Sequence, residues 1–449
     1  VTVFHGPAPR DTVLERPGPD GGERSRTVRV RVRQGRAVRV LVTLAVLWAC
    51  YTVLQRLISG RWWVMLVPDL LPPVAFLLVP VLLIAAACAL ALRRRRRTGG
   101  AGVPVADGNG TGTGEGSGTS GGDLPAGAGT SASGPVARSV RRGRTVPGRR
   151  PRGTALLLVC CLAVLSAAVS WPRNGVRLSA LTHQASSATG DLRIVSWNTT
   201  WWGQDVDTDR FWATLRAQRA DVYLLQEYVH GIDHRQENLR PVDDLERIRR
   251  EFPDYHVVSR GELITLSRFP VTGHELVGPG SAVAGRPDAP WLEVYRAVKT
   301  LRVDIRVNGR PLSLYNVHIP VQIDPGPHLV SPSFFGMLRE RQRSRTAQFE
   351  GLEAELREQR GRGAAAVIAG DFNSSPVMGE MDELRATLRD AADSGGGLYP
   401  RTWNELVPVL GLWRLDWAFS TGPVTVDSYR LDAMNSLSDH RAQILEVSL

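Results

Sequence analysis

Residues 74–92 and 154–171 run 19 and 18 residues without a charge, and arginine clusters flank both. A helix of that length reaches across the hydrocarbon of a bilayer. A third apolar run begins at Val40 and ends near Ile58, where Gln55 and Arg56 soften its boundary. Trp62, Trp63 and Trp171 stand where interfacial aromatics belong. Two transmembrane helices are therefore expected in 37–92 and a third in 154–171.

The flanking charges orient them. Seven arginines from Arg24 to Arg39 precede the first run, Arg93 through Arg97 follow the second, and seven from Arg138 to Arg152 precede the third. The positive-inside rule puts these clusters in the cytoplasm. The expected protein is multi-pass in the cell membrane, with a cytoplasmic N-terminus and an extracytoplasmic C-terminal domain. Residues 1–36 read as a disordered basic tail and 93–153 as a Gly/Arg-rich cytoplasmic tether, since neither has the composition to bury a core. Residues 172–189 read as a linker and 190–449 as the functional domain.

The formal charge of +11 suggests a nucleic-acid binder until it is divided. Residues 172–449 carry 32 Lys+Arg against 36 Asp+Glu, a net of −4. The excess of positive charge belongs to the membrane-flanking part, so the outer domain offers a long polyanion little steering. All four cysteines, Cys50, Cys88, Cys160 and Cys161, lie in apolar stretches. A disulfide framework or thiolate metal site in the outer domain is thereby excluded.

Six short motifs occupy that domain: Ser196-Trp197-Asn198, Leu225-Gln226-Glu227, Asn316-Val317-His318, Gly370-Asp371-Phe372-Asn373, Leu415-Asp416 and Ser438-Asp439-His440. Each sets a carboxylate, carboxamide or imidazole at or near the end of an apolar, strand-like run. Polar groups at strand ends converge on one edge of a sheet sandwich, where they can hold a divalent cation and act on a phosphate ester. Helices are expected at 208–219, 242–252, 336–359 and 379–389. Strands are expected at 255–260, 262–267, 293–307, 310–318, 413–420 and 442–447. Asn308-Gly309 marks a hairpin between the 293–307 and 310–318 strands.

The segments LRIVSWN, DVYLLQE, ELITLSRFP, YRAVKTLRV, LYNVHIP, VIAGDFNSSP, RLDWAFS and SDHRAQ, in this order, resemble the endonuclease/exonuclease/phosphatase superfamily over about residues 190–449. The resemblance implies an α/β fold: a deoxyribonuclease-like, four-layer, two-sheet α/β sandwich, here preceded by three transmembrane helices. It also implies a metal-dependent phosphoric ester hydrolase. Mg²⁺, or Mn²⁺, would be held by Glu227 with Asn198 and Asp439. His318 and His440 would bind phosphate oxygens, and Asp416 would orient His440 and raise its basicity. Asp371 and Asn373 would fix and activate the attacking water, with the base left open between Asp371 and the His440–Asp416 pair. Arg296 is a weaker candidate for a phosphate contact.

The substrate class is less constrained. Nearness to a span, an acidic surface, and the apolar groups Trp201-Trp202 and 334–338 favour a membrane-proximal amphiphile. Those apolar groups read equally as a lipid platform or as core. Three spans followed by an outward domain also resemble actinobacterial membrane proteins tied to teicoplanin resistance, which implies a cell-envelope lipid phosphate or pyrophosphate. The expected partners are the bilayer and a lipid-linked phosphate. An extracellular nuclease and a non-catalytic receptor on the same fold are the alternatives.

Overall fold

The computed structural model describes residues 19–98, 152–181, 190–202, 207–231, 236–323, 328–329, 331–395, 397–403 and 411–449. Most of the expected tether and residues 1–18 lie outside these. The chain forms two compact units, Val1–Thr43 with Ile84–Cys160, and Leu44–Leu83 with Cys161–Leu449. Three helices, Pro19–Ile58, Ala75–Thr98 and Arg152–Ser170, the last continued by a 3-10 turn to Arg173, supply segments long and apolar enough to cross a membrane: Gly35–Ile58, Ala75–Arg93 and Gly153–Arg173.

Two expectations about the flanks need correction. The first helix begins at Pro19, so residues 19–36 are helical rather than an unfolded tail. Arginine is a good helix former, and extending an existing helix adds one hydrogen bond per residue without a new nucleus. The supposed linker is also partly built in. Trp171–Arg173 and Leu178–Leu181 form short 3-10 turns, and the 4 % exposed Arg173 pairs with Asp382 of the C-terminal domain. Residues 182–189 lie outside the described ones.

Two six-stranded sheets make the C-terminal domain. The first runs Thr425–Asp432, Ala442–Ser448, Leu192–Asn198, Val222–Gln226, Leu263–Ser267, His256–Arg260. The second runs Arg389–Asp390, Asp416–Ser420, Ala366–Asp371, Arg310–His318, Thr300–Val307, Val271–Leu276. The central strands are buried on both faces, which is why they read as continuous apolar runs. Along Leu192–Asn198 the side chains alternate: Leu192 and Ile194 meet Leu312, Leu314 and Val367 between the sheets. Val195 and Trp197 face outward to Phe211, Trp212 and Leu215 of helix Thr208–Ala217. On the far side, Tyr315 and Ile368 pack under Phe349, Leu352 and Leu356 of helix Pro332–Gly361. The order is helix, sheet, sheet, helix, the expected four-layer sandwich.

Local signals explain much of this. Asn308 and Gly309 take φ of 49° and 84°, the geometry of a two-residue hairpin turn. Ser331 caps the long helix by accepting from Phe334 N at 3.1 Å, with Pro332 at its first position. The expected strand at 293–307 is wrong in its first part. Trp291–Ala297 is a helix, and the strand starts at Thr300. Pro290 precedes the helix, and Trp291 and Tyr295, one turn apart, bring their rings within 6.1 Å.

The sheets are pinned together by two buried amides. Gln226 Nε2 donates to Asn316 Oδ1 at 2.6 Å, and Asn316 Nδ2 lies 3.1 Å from Leu225 O and 3.0 Å from Ile264 O.

Candidate active site

Strand register assembles the site. In the second sheet Asp371 pairs with His318 on one side and with Asp416 on the other. In the first, Asn198 pairs with Gln226, which puts Glu227 just past the strand end. A backbone bridge from Trp403 brings in His440. Gly370 makes the crowding possible: it sits at φ 152°, and a Cβ there would lie 1.9 Å from Val317 O.

A cavity of about 480 Å³ opens on Glu227, His318, Asp371, Asn373, Asp439 and His440, and also on Thr200, Trp201 and Trp403. Thr200, Trp201, Glu227 and Asn373 all have positive φ, between 45° and 60°. Such backbone is uncommon for residues other than glycine and gathers at functional sites.

Asn198 joins the two halves. Its Nδ2 donates to Glu227 Oε1 at 3.0 Å and to Asp371 Oδ2 at 3.1 Å. The other Glu227 oxygen accepts from Trp201 N at 3.0 Å. Asp371 Oδ1 accepts from Asn373 N at 2.8 Å, and Asn373 Nδ2 lies 3.4 Å from His318 Nε2. Asp439 accepts from Thr200 Oγ1, and from Trp403 Nε1 at 2.7 Å.

The two histidines are built alike. His440 Nδ1 lies 2.8 Å from Asp416 Oδ2, and its Nε2 lies 3.7 Å from Asp371 Oδ2. His318 Nδ1 lies 3.1 Å from Glu262 Oε2, and its Nε2 also lies 3.7 Å from Asp371 Oδ2. Thr402 Oγ1 accepts from Asp416 N at 3.0 Å and fixes that strand end. Burial favours neutral imidazole, but the acids outweigh it: Asp416 and Asp371 hold His440 well above its ordinary value, and Glu262 holds His318 above it. Both rings are therefore prepared to be cationic.

Glu262 and Lys299 were not singled out by the sequence reading. Lys299 Nζ pairs with Glu262 Oε1 and sits 3.8 Å from the Tyr295 ring centroid. A signal existed: Glu262 opens an apolar strand that could not bury a lone charge, and Lys299 is the only lysine in the chain. Arg296 is not gathered into this cluster. It lies 54 % exposed on the Trp291–Ala297 helix, 3.5 Å from Glu237, and does not line the catalytic cavity. Trp202 is core and Trp201 lines the cavity, so that pair divides between the two expected roles.

The donor set suits a hard divalent cation. Burial pushes the Glu227 and Asp371 carboxyls up, and a bound cation would offset that cost of holding them charged. Burial also pushes Asp439 up, but His440, Thr200 and Trp403 outweigh it and hold that carboxyl below its usual value. Among the described residues, Asp371, Asp416 and His440 have ligand atoms within 4.8 Å of one another. Asp416 is already spent on His440 Nδ1, which leaves Glu227, Asp371 and Asp439 as the oxygen-rich side.

A sequence model of the endonuclease/exonuclease/phosphatase family matches residues 195–440. Similar solved structures include truncated Caenorhabditis elegans TDP2, at 19 % identity over 57 % of this chain and 96 % of that one, TM-score 0.39. An endonuclease/exonuclease/phosphatase from Beutenbergia cavernae is 17 % identical over 57 % and 71 %, TM-score 0.40. A Neisseria 3′ phosphatase, NExo, bound to product DNA hairpin, is 18 % identical over 57 % and 98 %, TM-score 0.39. No curated protein matches the sequence.

Proposed function

From the premise that the chain belongs to the endonuclease/exonuclease/phosphatase family, whose members are hydrolases acting on phosphoester bonds, we propose a membrane-anchored, Mg²⁺- or Mn²⁺-dependent phosphoesterase. Its substrate is a phosphodiester, phosphomonoester or pyrophosphate of a cell-envelope lipid, and its catalytic domain is extracytoplasmic. The carrying observation is the matched pair of acid-backed imidazoles, His318–Glu262 and His440–Asp416, both aimed at Asp371. Both imidazoles line the cavity.

In this reading Glu227 and Asp439, ordered by Asn198, Thr200 and Trp403, would hold the cation. When bound, the cation offsets negative charge on the phosphate and its leaving oxygen. His318 and His440 donate from Nε2 to the non-bridging oxygens, where charge develops in the transition state. Asp371, its carboxyl raised by burial, takes the proton of the attacking water, and Asn373 N holds the other carboxylate oxygen in place. The base role is given to Asp371 because Asp416 and Asp371 raise His440 well above its ordinary value, which favours the imidazolium.

The lipid preference is supported by the net charge of −4 over residues 172–449 and by three helices fit to span a membrane. The arginine clusters support the orientation. The deciding experiment incubates the purified full chain and Mg²⁺ with polyprenyl pyrophosphate, sphingomyelin, phosphoinositides and plasmid DNA. Release of phosphate or headgroup from a lipid is expected. Cleavage of DNA alone would replace the lipid reading with a nuclease, and no hydrolysis at all would sink the enzyme.

A further inference from the structure

Leu70 lies in the loop between the first two membrane-length helices, yet it lines the catalytic cavity. We propose that this loop is a wall of the active site and that the hydrocarbon chain of a membrane-borne phosphate ester lies along it. The inference rests on the phosphoesterase reading and names how the lipid is seated.

The loop is fixed to the domain by polar pins. Ser59 Oγ accepts from Gly379 N at 2.9 Å and donates to the buried Asp69 at 2.6 Å. Gln55 donates to Val377 O and lies 3.2 Å from the other Asp69 oxygen. Gln342 Nε2 donates to Gly60 O at 2.9 Å, and Trp413 Nε1 donates to Leu70 O at 3.1 Å. The approach is close: a Cβ on Gly379 would lie 2.1 Å from Ser59 O. Apolar packing follows the same seam, with Leu66 on Phe334 and Leu338, and Phe76 on Val377 and Met378. So many specific contacts define a docked element.

Its product is a cavity with two characters. It is lined both by Glu227, His318, Asp371 and His440 and by Leu70, Val321, Ile323, Met378 and Trp413. Leu70 and Val321 remain 36 % and 41 % exposed, large apolar groups left open beside a charged centre. A phosphate alone has no use for them. A chain carrying a phosphate uses both sets. Leu70 is also five residues before Ala75, where the second membrane-length segment starts. Even fully extended, that distance is at most about 18 Å. A lipid could therefore enter from the bilayer without its chain crossing open water.

The test uses the full chain in nanodiscs with Mg²⁺ and two synthetic esters, p-nitrophenyl hexadecyl phosphate and p-nitrophenyl ethyl phosphate. In Leu70→Asp the long-chain to short-chain ratio of kcat/KM should fall about tenfold or more, the effect of a few lost methylene contacts. Val67→Asp, on the same loop but outside the cavity, should keep the parental ratio. An unchanged ratio in Leu70→Asp, or an equal fall in Val67→Asp, overturns the chain seat. If the parent cleaves neither ester, the phosphodiester form of the phosphoesterase reading fails separately. Binding of a fluorescent hexadecyl phosphate then decides the seat: about tenfold weaker binding to Leu70→Asp upholds it, and equal binding removes it.

Discussion

Glu262 Oε2 lies 3.1 Å from His318 Nδ1, and the carboxylate is wholly shut from solvent. Burial alone would neutralise this acid, but His318 and Lys299 outweigh it and hold the carboxyl below its ordinary value. Lys299→Met therefore leaves a buried charge short of a partner. It should lower stability by about 3–5 kcal/mol. Adding Glu262→Gln should recover part of that loss while leaving turnover low. Denaturant melts of the three variants check this, and additive losses would mean the pair is not coupled.

Asp416 is the corresponding support for His440, and its effect should appear in the pH profile. Asp416 and Asp371 keep His440 protonated well above the usual imidazole range. Activity that needs the imidazolium is present below that raised pKa and lost as pH rises through it. Asp416→Asn removes one raising charge, so the alkaline limb of kcat should move toward lower pH. An alkaline limb that stays in place would remove the imidazolium from the mechanism.

Glu227→Gln and His440→Ala should each lower turnover about a hundredfold or more. Glu227 is already pushed toward its neutral form by burial, so the Gln variant should melt at or slightly above the parental temperature. Normal turnover in a normally folded Glu227→Gln protein would exclude it from the site.

Cation binding can be read without catalysis. A ligand that binds only the folded state stabilises it by mass action, about 2.7 kcal/mol at a hundredfold excess over Kd. Mg²⁺ or Mn²⁺ should raise the melting temperature of the parent and not of Glu227→Gln, and chelation should reverse the rise. An equal rise in both proteins would place the cation elsewhere.

Docking of the inter-helix loop should weaken with rising pH. Burial raises Asp69 to about 6 from its ordinary 3.8. The folded form thus binds that proton more tightly than the unfolded one, so stability declines as pH climbs between those values. Limited proteolysis of the loop should be faster at pH 7.5 than at pH 5, and Asp69→Asn should reduce the difference. Equal rates in the parent would show that Asp69 does not titrate there.

Strand ends were the legible part of this chain. The run ending in His318 keeps its expected bounds because its alternation and Asn308-Gly309 both act locally. Asn198, His318, Asp371 and Asp416 converge through strand register, and Glu227, Asn373, Asp439 and His440 follow on the loops at those strand ends. Residues 291–297 were misread because a short amphipathic helix and a strand share an apolar spacing over so few residues. Glu262 and Leu70 were missed for a different reason. Their roles depend on what packs against them from distant elements, His318 in one case and the catalytic cavity in the other; the apolar strand around Glu262 signals a buried charge but not its partner.

The amides of Gln226 and Asn316, bonded through the core, sit one residue before Glu227 and two before His318. Separating the cation-holding edge from the phosphate-holding edge would strand both amides without water. The site therefore has no half-open form that is cheap to reach. Heat should end activity and tertiary structure in a single step.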